Sequence, residues 1–254
     1  MGKIAAQAAR GAPRDPEPER ALGYAREYDA WFDAPWGRYA FDVESRALLK
    51  ALGPTRGRTV LDAGCGSGRF SARLLREGAT VVGFDSDPAM LHVGAERLRA
   101  PLVVADAHLL PFADATFDLT VAVTLCEFVT HADRVVTELA RVTGAGGRVV
   151  VGALNRASPW GIAHRRRFRR SPWDTARFFR WDELLALGAP HPRTRISAAL
   201  YAPGDVPGLR LVGPILEGLR RGLPRLGAFR VMTIDLPDPP NVWSRRSSDE
   251  APLK

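Results

Sequence analysis

Thr59-Val60-Leu61-Asp62-Ala63-Gly64-Cys65-Gly66-Ser67-Gly68-Arg69-Phe70 is the stretch whose reading decides the fold. A short apolar run ends in three glycines at alternate positions, and a helical pattern opens at about Phe70. Strand, glycine-rich turn and helix are the parts of a βα turn that binds a phosphate or a nucleotide. Glycine lets backbone approach a ligand with no Cβ in the way, and the helix N-terminus offers free N–H groups and a positive dipole end. Taken alone, the turn is also compatible with a plain tight loop. A dinucleotide fingerprint needs glycine at 64, 66 and 69, and Arg69 stands at the third position, so that motif fails. No Lys-Ser/Thr pair follows the glycines, which excludes a P-loop.

What stands here, Asp-x-Gly-x-Gly-x-Gly from Asp62 to Gly68, resembles the first motif of class I S-adenosylmethionine-dependent methyltransferases. Val82-Gly83-Phe84-Asp85-Ser86-Asp87-Pro88-Ala89-Met90-Leu91 is similar to that family's second strand and its acidic residue. Val104-Ala105-Asp106-Ala107 with Leu110-Pro111-Phe112 looks like its adenine-side motif, and Phe117-Asp118 like its fourth-strand motif. The four run in the family's order and spacing over residues 58 to 154. Tyr28-Asp29-x-Trp31-Phe32-x-x-Pro35-x-Gly37-Arg38 looks like the start of a small-molecule, type-11-like branch. The resemblance implies S-adenosylmethionine as cofactor, no metal, and methyl transfer to a small-molecule acceptor. The fold it implies is a doubly wound, Rossmann-like α/β sheet of seven strands. That sheet is mostly parallel with an antiparallel last strand, and carries an N-terminal helical cap and an insertion after the fifth strand.

Site residues follow motif by motif. Asp85 comes 21 residues after Gly64, at the expected end of the second strand, where a carboxylate accepts both ribose hydroxyls. Its other reading is a helix N-cap, a role Ser86 or Asp87 can also fill. Asp62 would orient the loop through its N–H groups, or hold a water to the methionine amino group. Asp106 would accept from the adenine amino group with the Ala107 N–H facing a ring nitrogen. Met90 and Leu109 either sandwich the adenine or belong to the core. Gly64, Cys65, Gly66, Gly68, Ser86 and Thr124 complete the expected cofactor set, and Asp118 is expected to be structural.

Methyl transfer asks little of the protein, because the sulfonium is already activated and catalysis is in-line positioning plus desolvation. No catalytic residue is named by the chemistry; the candidates are Glu127, His131 and Tyr28, each with a surface, cap or packing role as its other reading. Thr124-Leu125-Cys126-Glu127-Phe128 lacks the Asn/Asp-Pro-Pro-Tyr motif carried by relatives that methylate nucleic-acid amines. Cys65 and Cys126 read as buried small residues, with a reactive thiol pair as the sharper alternative.

The 254 residues suffice for one large domain, and 46% apolar with 25% charged content is ordinary for a globular chain. Two cysteines make no disulfide framework, and no apolar run approaches the ~20 residues of a membrane span, so the expectation is a cytoplasmic protein. Residues 155 to 180 hold eight arginines against the single acid Asp174, and so carry +7 of the net +8. That segment, with Trp160, Trp173 and nearby Trp181, is expected to cap the acceptor site. It favours an apolar, acidic acceptor, against a solvated face as the bland reading and an RNA or protein acceptor as the rival function. A non-catalytic cofactor-binding protein is the third.

Along the chain, residues 1–20 read as a disordered arm, 21–57 as a helical cap, 58–236 as the cofactor-binding core with the 155–180 insertion, and 237–254 as a tail. Tyr24, Tyr28, Trp31 and Phe32 make one aromatic stripe, either core packing or a cover over the methyl group. Strands are predicted over 58–63, 79–84, 102–105, 117–123, 147–153, 195–201 and 229–236, the fifth following a Gly144-Ala145-Gly146-Gly147 turn. Helices between the strands imply a parallel sheet covered on both faces.

Overall fold

The structure is a computed structural model that describes residues 18–167, 175–202, 204, 208–220, 222–223 and 225–238. Helices α1 (Pro18–Trp31) and α2 (Pro35–Leu52) precede β1 (Thr59–Ala63), α3 (Arg69–Arg76), β2 (Thr80–Asp85), α4 (Pro88–Arg97), β3 (Leu102–Val104), β4 (Phe117–Val123), α5 (Ala132–Val142) and β5 (Thr143–Leu154). Then come α6 (Pro159–Arg167), α7 (Trp181–Leu187), β6 (Thr194–Ala199), α8 (Leu209–Arg220) and β7 (Phe229–Asp235). The expected arm therefore ends in helix from Pro18, and residues 1–17 lie outside the described residues. Most of the expected tail, 239–254, lies outside them too.

The strands form one seven-stranded sheet in the order β3-β2-β1-β4-β5-β7-β6. β1 to β5 are mutually parallel, and β7 runs antiparallel between β5 and β6. This is the doubly wound α/β sheet with an antiparallel last strand expected from the sequence. Period-two alternation splits the core between its faces. Val60, Val121 and Val150 pack with Leu48 and Leu52 of α2 and Leu74 of α3. Their neighbours Leu61, Ala122, Val149 and Val151 pack with Val135, Val136 and Leu139 of α5. Each such aliphatic side chain contributes about 1.5–3 kcal/mol by leaving water.

Local chemistry sets the element ends. Pro35 starts α2 with its φ pre-set, and Gly53 at φ 77° ends it, donating its N–H to Leu49 O at 3.0 Å. Asp87 caps α4 by accepting the Ala89 N–H at 2.8 Å, with Pro88 behind it. The glycine run 144–147 is no separate turn. It bulges within β5, whose pairing with β4 jumps from Phe117↔Thr143 to Leu119↔Arg148. Asp118 is structural as expected, accepting from the N–H and hydroxyl of Thr59 at 2.7 and 2.8 Å.

Candidate functional site

Strand order reverses at β1, since the chain runs outward through β2 and β3 and returns at β4 on the other side. Open α/β sheets bind ligands at such a switch point, beyond the carboxyl ends of the strands. The glycine turn occupies that edge, tied to β2 by Cys65 N–H donating to Phe84 O at 2.8 Å. Gly64, Gly66 and Gly68 all have positive φ, at 65°, 52° and 74°. Their surroundings differ. A Cβ on Gly64 would lie 2.8 Å from Leu125, and one on Gly68 would lie 2.4 Å from Leu98, whereas one on Gly66 would meet nothing within 4 Å. Two of the glycines serve packing; the middle one faces open space.

Asp85 closes the turn from the side. Its Oδ2 accepts the Gly66 N–H at 2.8 Å and its Oδ1 the Asp87 N–H at 3.0 Å. Burial raises its proton affinity while those two N–H groups oppose the rise. Ser86 is exposed, and the N-cap role falls to Asp87. Asp62 is buried and accepts the Ser71 hydroxyl of α3 at 2.5 Å. Burial pushes it to a pKa of about 7 against the opposing pull of Ser71.

On the adenine side, Asp106 is exposed and accepts from the His108 N–H at 2.9 Å, with the His108 ring at 2.7 Å. Ala107 is buried, Met90 is half-buried on α4, and Leu109 is exposed, so the core reading of Leu109 fails.

Beyond the turn lies a cavity lined by residues from α1, α2 and the ends of β1, β4 and β5. Tyr28, Trp31 and Phe32 bring three members of the aromatic stripe to it, while Tyr24 stays exposed. Trp36, Phe41 and Trp160 add rings from α2 and α6. Thr124 lines it at φ 52°, a strained value for a β-branched residue, held by its N–H to Gly152 O at 2.8 Å. Among the described residues Arg69 is the one basic side chain in the lining; the acids are Glu44 and Asp62.

Arg69, which spoils the dinucleotide fingerprint, latches α1 onto the turn. Its Nε donates to Asp29 Oδ1 at 2.7 Å, and its terminal nitrogens reach Asp33 at 3.0 and 2.9 Å. Ser67 donates to Asp29 at 2.6 Å, and Arg97 of α4 joins at 2.8 Å while also donating to Ser67 O. Burial pushes Asp29 upward, but hydrogen bonds from Arg69, Ser67 and Arg97 outweigh it and hold its pKa at about 2.

The candidate bases fare unequally. His131 is exposed at the N-cap of α5 and does not line the cavity. Tyr28 lines it, and burial followed by the nearby Glu44 charge raises its proton affinity, which makes it a donor and not a base. Glu127 is buried, with Oε1 accepting the Leu154 N–H at 2.6 Å and Oε2 without a hydrogen-bond partner. Burial raises both cysteine thiols, and Cys65 packs against Gly83, so both are structural.

Of the arginines expected over the acceptor site, Arg156 and Arg177 lie 3.6 and 3.5 Å from Glu183, and Arg180 lies 3.1 Å from Asp182. None of these lines the cavity. Arg169, Arg170, Trp173 and the side chains of Arg165, Arg166 and Arg167 lie outside the described residues.

Residues 61–151 match the family model of a methyltransferase domain. The demethylmenaquinone methyltransferase of Thermobifida fusca is 37% identical over 163 residues, 54% of this chain and 68% of that protein. The chain belongs to the S-adenosylmethionine-dependent methyltransferase family. An uncharacterized protein of Methanocaldococcus jannaschii is 29% identical to this methyltransferase over 165 residues, 65% of this chain and 76% of its own. A solved S-adenosylmethionine-dependent methyltransferase of Thermotoga maritima shares the fold with a TM-score of 0.67 at 23% identity, over 84% of this chain and 97% of that one. The cofactor of the methyltransferase is S-adenosylmethionine, and its general activity is methyl transfer. No helix among the described residues is long and apolar enough to cross a membrane.

The family match spans β1 to β5, so α1, α2 and everything after β5 lie outside it. Those outer elements hold the residues that motif reading missed: Asp29, Asp33 and Glu44. Glu44 had a signal. It sits between Ala40 and Leu48 at i, i+4 spacing on the buried stripe of α2, where a carboxylate is out of place.

Burial pushes Glu127 to a pKa of about 8. A carboxyl whose folded pKa is raised adds stability that is complete below its unfolded value near 4.5 and is lost as pH climbs through 8. Glu127→Gln keeps the carbonyl acceptor for Leu154 and removes that loss. It should leave stability almost unchanged at low pH and raise it by a few kcal/mol at pH values above 8, read as urea midpoints across the range. Parallel pH curves for the two proteins would refute it.

Proposed function

We propose that the methyltransferase acts on a small, largely apolar molecule bound between α1, α2 and α6. The observation that supports this is the cavity, whose walls are aromatic rings beside the glycine turn. Latched helix α1 forms one wall, and the described arginines of the basic segment are paired elsewhere. Apolar walls with a few polar groups suit a compact organic ligand, and a nucleic-acid track needs a basic groove. In this reading 21–57 form the cap and 58–236 the core.

The residues present fit the cofactor. A side chain at Gly66 would occupy free space beside the Asp85 carboxylate, the position a ribose needs. Gly64, Cys65, Gly66 and Gly68 would supply close backbone, Asp85 with Ser86 the ribose side, and Met90, Asp106 and Ala107 the adenine side. Asp62 and Thr124 would stand at the methionine end. Bound there, the cofactor supplies a methyl carbon already activated by its sulfonium. The protein's part is geometric: the turn orients, Tyr28 and Trp31 exclude water, and the latch keeps α1 across the reacting groups.

Isotopically labelled cofactor incubated with the small-metabolite, RNA and protein fractions of a cell extract tests the reading. Label should enter the small-metabolite fraction; label confined to RNA or protein would overturn it. Asp85→Ala should weaken calorimetric binding of both cofactor and demethylated product by ~1–3 kcal/mol, the worth of charge-assisted hydrogen bonds. Unchanged affinity would remove Asp85 from the site.

A further inference from the structure

The polar groups of the cavity are unbalanced. Arg69 is satisfied by Asp29 and Asp33, which leaves Glu44 facing the aromatic lining with no cation beside it among the described residues. Among the described residues neither Glu44 nor Glu127 forms an ion pair with lysine, arginine or histidine. Glu127 stands close enough to add to the rise in the pKa of Glu44, which burial mainly pushes to about 8. The two do not share a proton through Glu127 Oε2, which is buried and has no hydrogen-bond partner. A carboxylate drawn partly out of water is costly without a donor, and of the two acids it is Glu44 that lines the cavity, where the N–H groups of a ligand can meet it. Aromatic faces beside carboxylates also attract a cation.

We propose that the methyl acceptor is an amine on an apolar body, its nitrogen facing Glu44 with Glu127 behind, and its body against Trp31, Trp36 and Trp160. The inference rests on the small-molecule reading above and names the acceptor's class. It replaces the acidic acceptor expected from the arginine-rich segment. An ammonium entering the cavity gives one proton to the Glu44 carboxylate. The freed nitrogen lone pair forms the N–C bond to the methyl carbon as the C–S bond breaks, and that electron pair stays on sulfur. The product leaves as the methylated ammonium, and Glu44 returns its proton to water. A carboxyl titrating near 8 is matched to that exchange at neutral pH.

Calorimetry of the full chain saturated with S-adenosylhomocysteine tests this with three probes of one shape: phenethylamine, phenethyl alcohol and phenylacetate. The amine should bind at least about tenfold tighter than either analogue, as charge-assisted hydrogen bonds are stronger than neutral ones. In Glu44→Gln that preference should shrink to within about threefold, with S-adenosylhomocysteine affinity unchanged. Equal or tighter binding of the alcohol or the acid by the wild type overturns the proposal, as does failure of the amine to bind. Those wild-type results decide even where Glu44→Gln folds poorly. If Glu44→Gln lowers product affinity and keeps the amine preference, Glu44 serves the cofactor and the proposal falls. Failure of S-adenosylhomocysteine itself to bind the wild type would instead overturn the function beneath it.

Discussion

Gly66→Val is expected to abolish measurable cofactor binding while leaving a folded protein. A Cβ at Gly66 meets no protein atom within 4 Å, so valine projects into the space kept for the ligand. The affinity loss should exceed about a hundredfold, or roughly 3 kcal/mol. Part of any change in stability is backbone strain, since φ at Gly66 is 52° and a β-branched residue there costs about 1–3 kcal/mol. Gly57 provides the control. Its φ is 74°, a Cβ on it also meets nothing, and it precedes β1 at the opposite end of the strand from the turn. Gly57→Val should lower the melting temperature by a similar amount and leave cofactor affinity alone. Calorimetry and thermal melts on both variants read the two effects separately. Near-normal cofactor affinity in Gly66→Val would show that the turn does not hold the cofactor. The same substitution at Gly64 or Gly68 is less informative, because Leu125 or Leu98 must move to admit it.

Asp29→Ala should unlatch α1. Asp29 takes bonds from Ser67, Arg69 and Arg97, and its side chain is 15% exposed. Its removal takes the buried carboxylate from two arginines: Arg69 keeps the exposed Asp33 and the residue 29 carbonyl, and Arg97 keeps Ser67 O. A fully buried pair broken this way costs 3–5 kcal/mol, and partial exposure reduces that here to about 2–3 kcal/mol. Turnover should fall further than stability implies, by roughly ten- to a hundredfold, because Tyr28 and Trp31 ride on the same helix and misplaced walls admit water. The exposed Arg26–Glu96 pair also joins α1 to α4, at 2.6 Å with both side chains about half exposed. Glu96→Ala should therefore change stability by less than about 1 kcal/mol and leave turnover intact. Turnover in Asp29→Ala within twofold of wild type would reduce the latch to a surface ornament. The latch also has a predicted pH limit. Asp29 is held at about 2, so its contribution is present above the ordinary carboxylate value and is lost as pH falls through about 2.

Short-range chemistry makes much of this legible in the sequence. Alternating strands and helices, the glycine turn, the capping Asp87-Pro88 pair and the 21-residue step from Gly64 to Asp85 depend on neighbours in the chain. Those local patterns determined a doubly wound sheet and a glycine turn at its edge. They misled where one residue type serves two geometries. The glycines at 144–147 read as a turn and became a bulge, since β4 supplies partners on both sides of them.

Only the tertiary structure decided the roles of the charged residues. Arg69 and Asp29 are forty positions apart, and nothing local distinguishes their pairing from a solvated surface. The arginine-rich segment shows the converse: its density of charge pointed at the acceptor, yet its described members pair with Glu183 and Asp182. Glu44 and Glu127 come from α2 and the loop after β4, and only packing buries Glu127 with an unpartnered oxygen and brings it near enough to raise the proton affinity of Glu44. A carboxylate's meaning lies in its solvent and its partners, and the folded chain supplies both from distant segments.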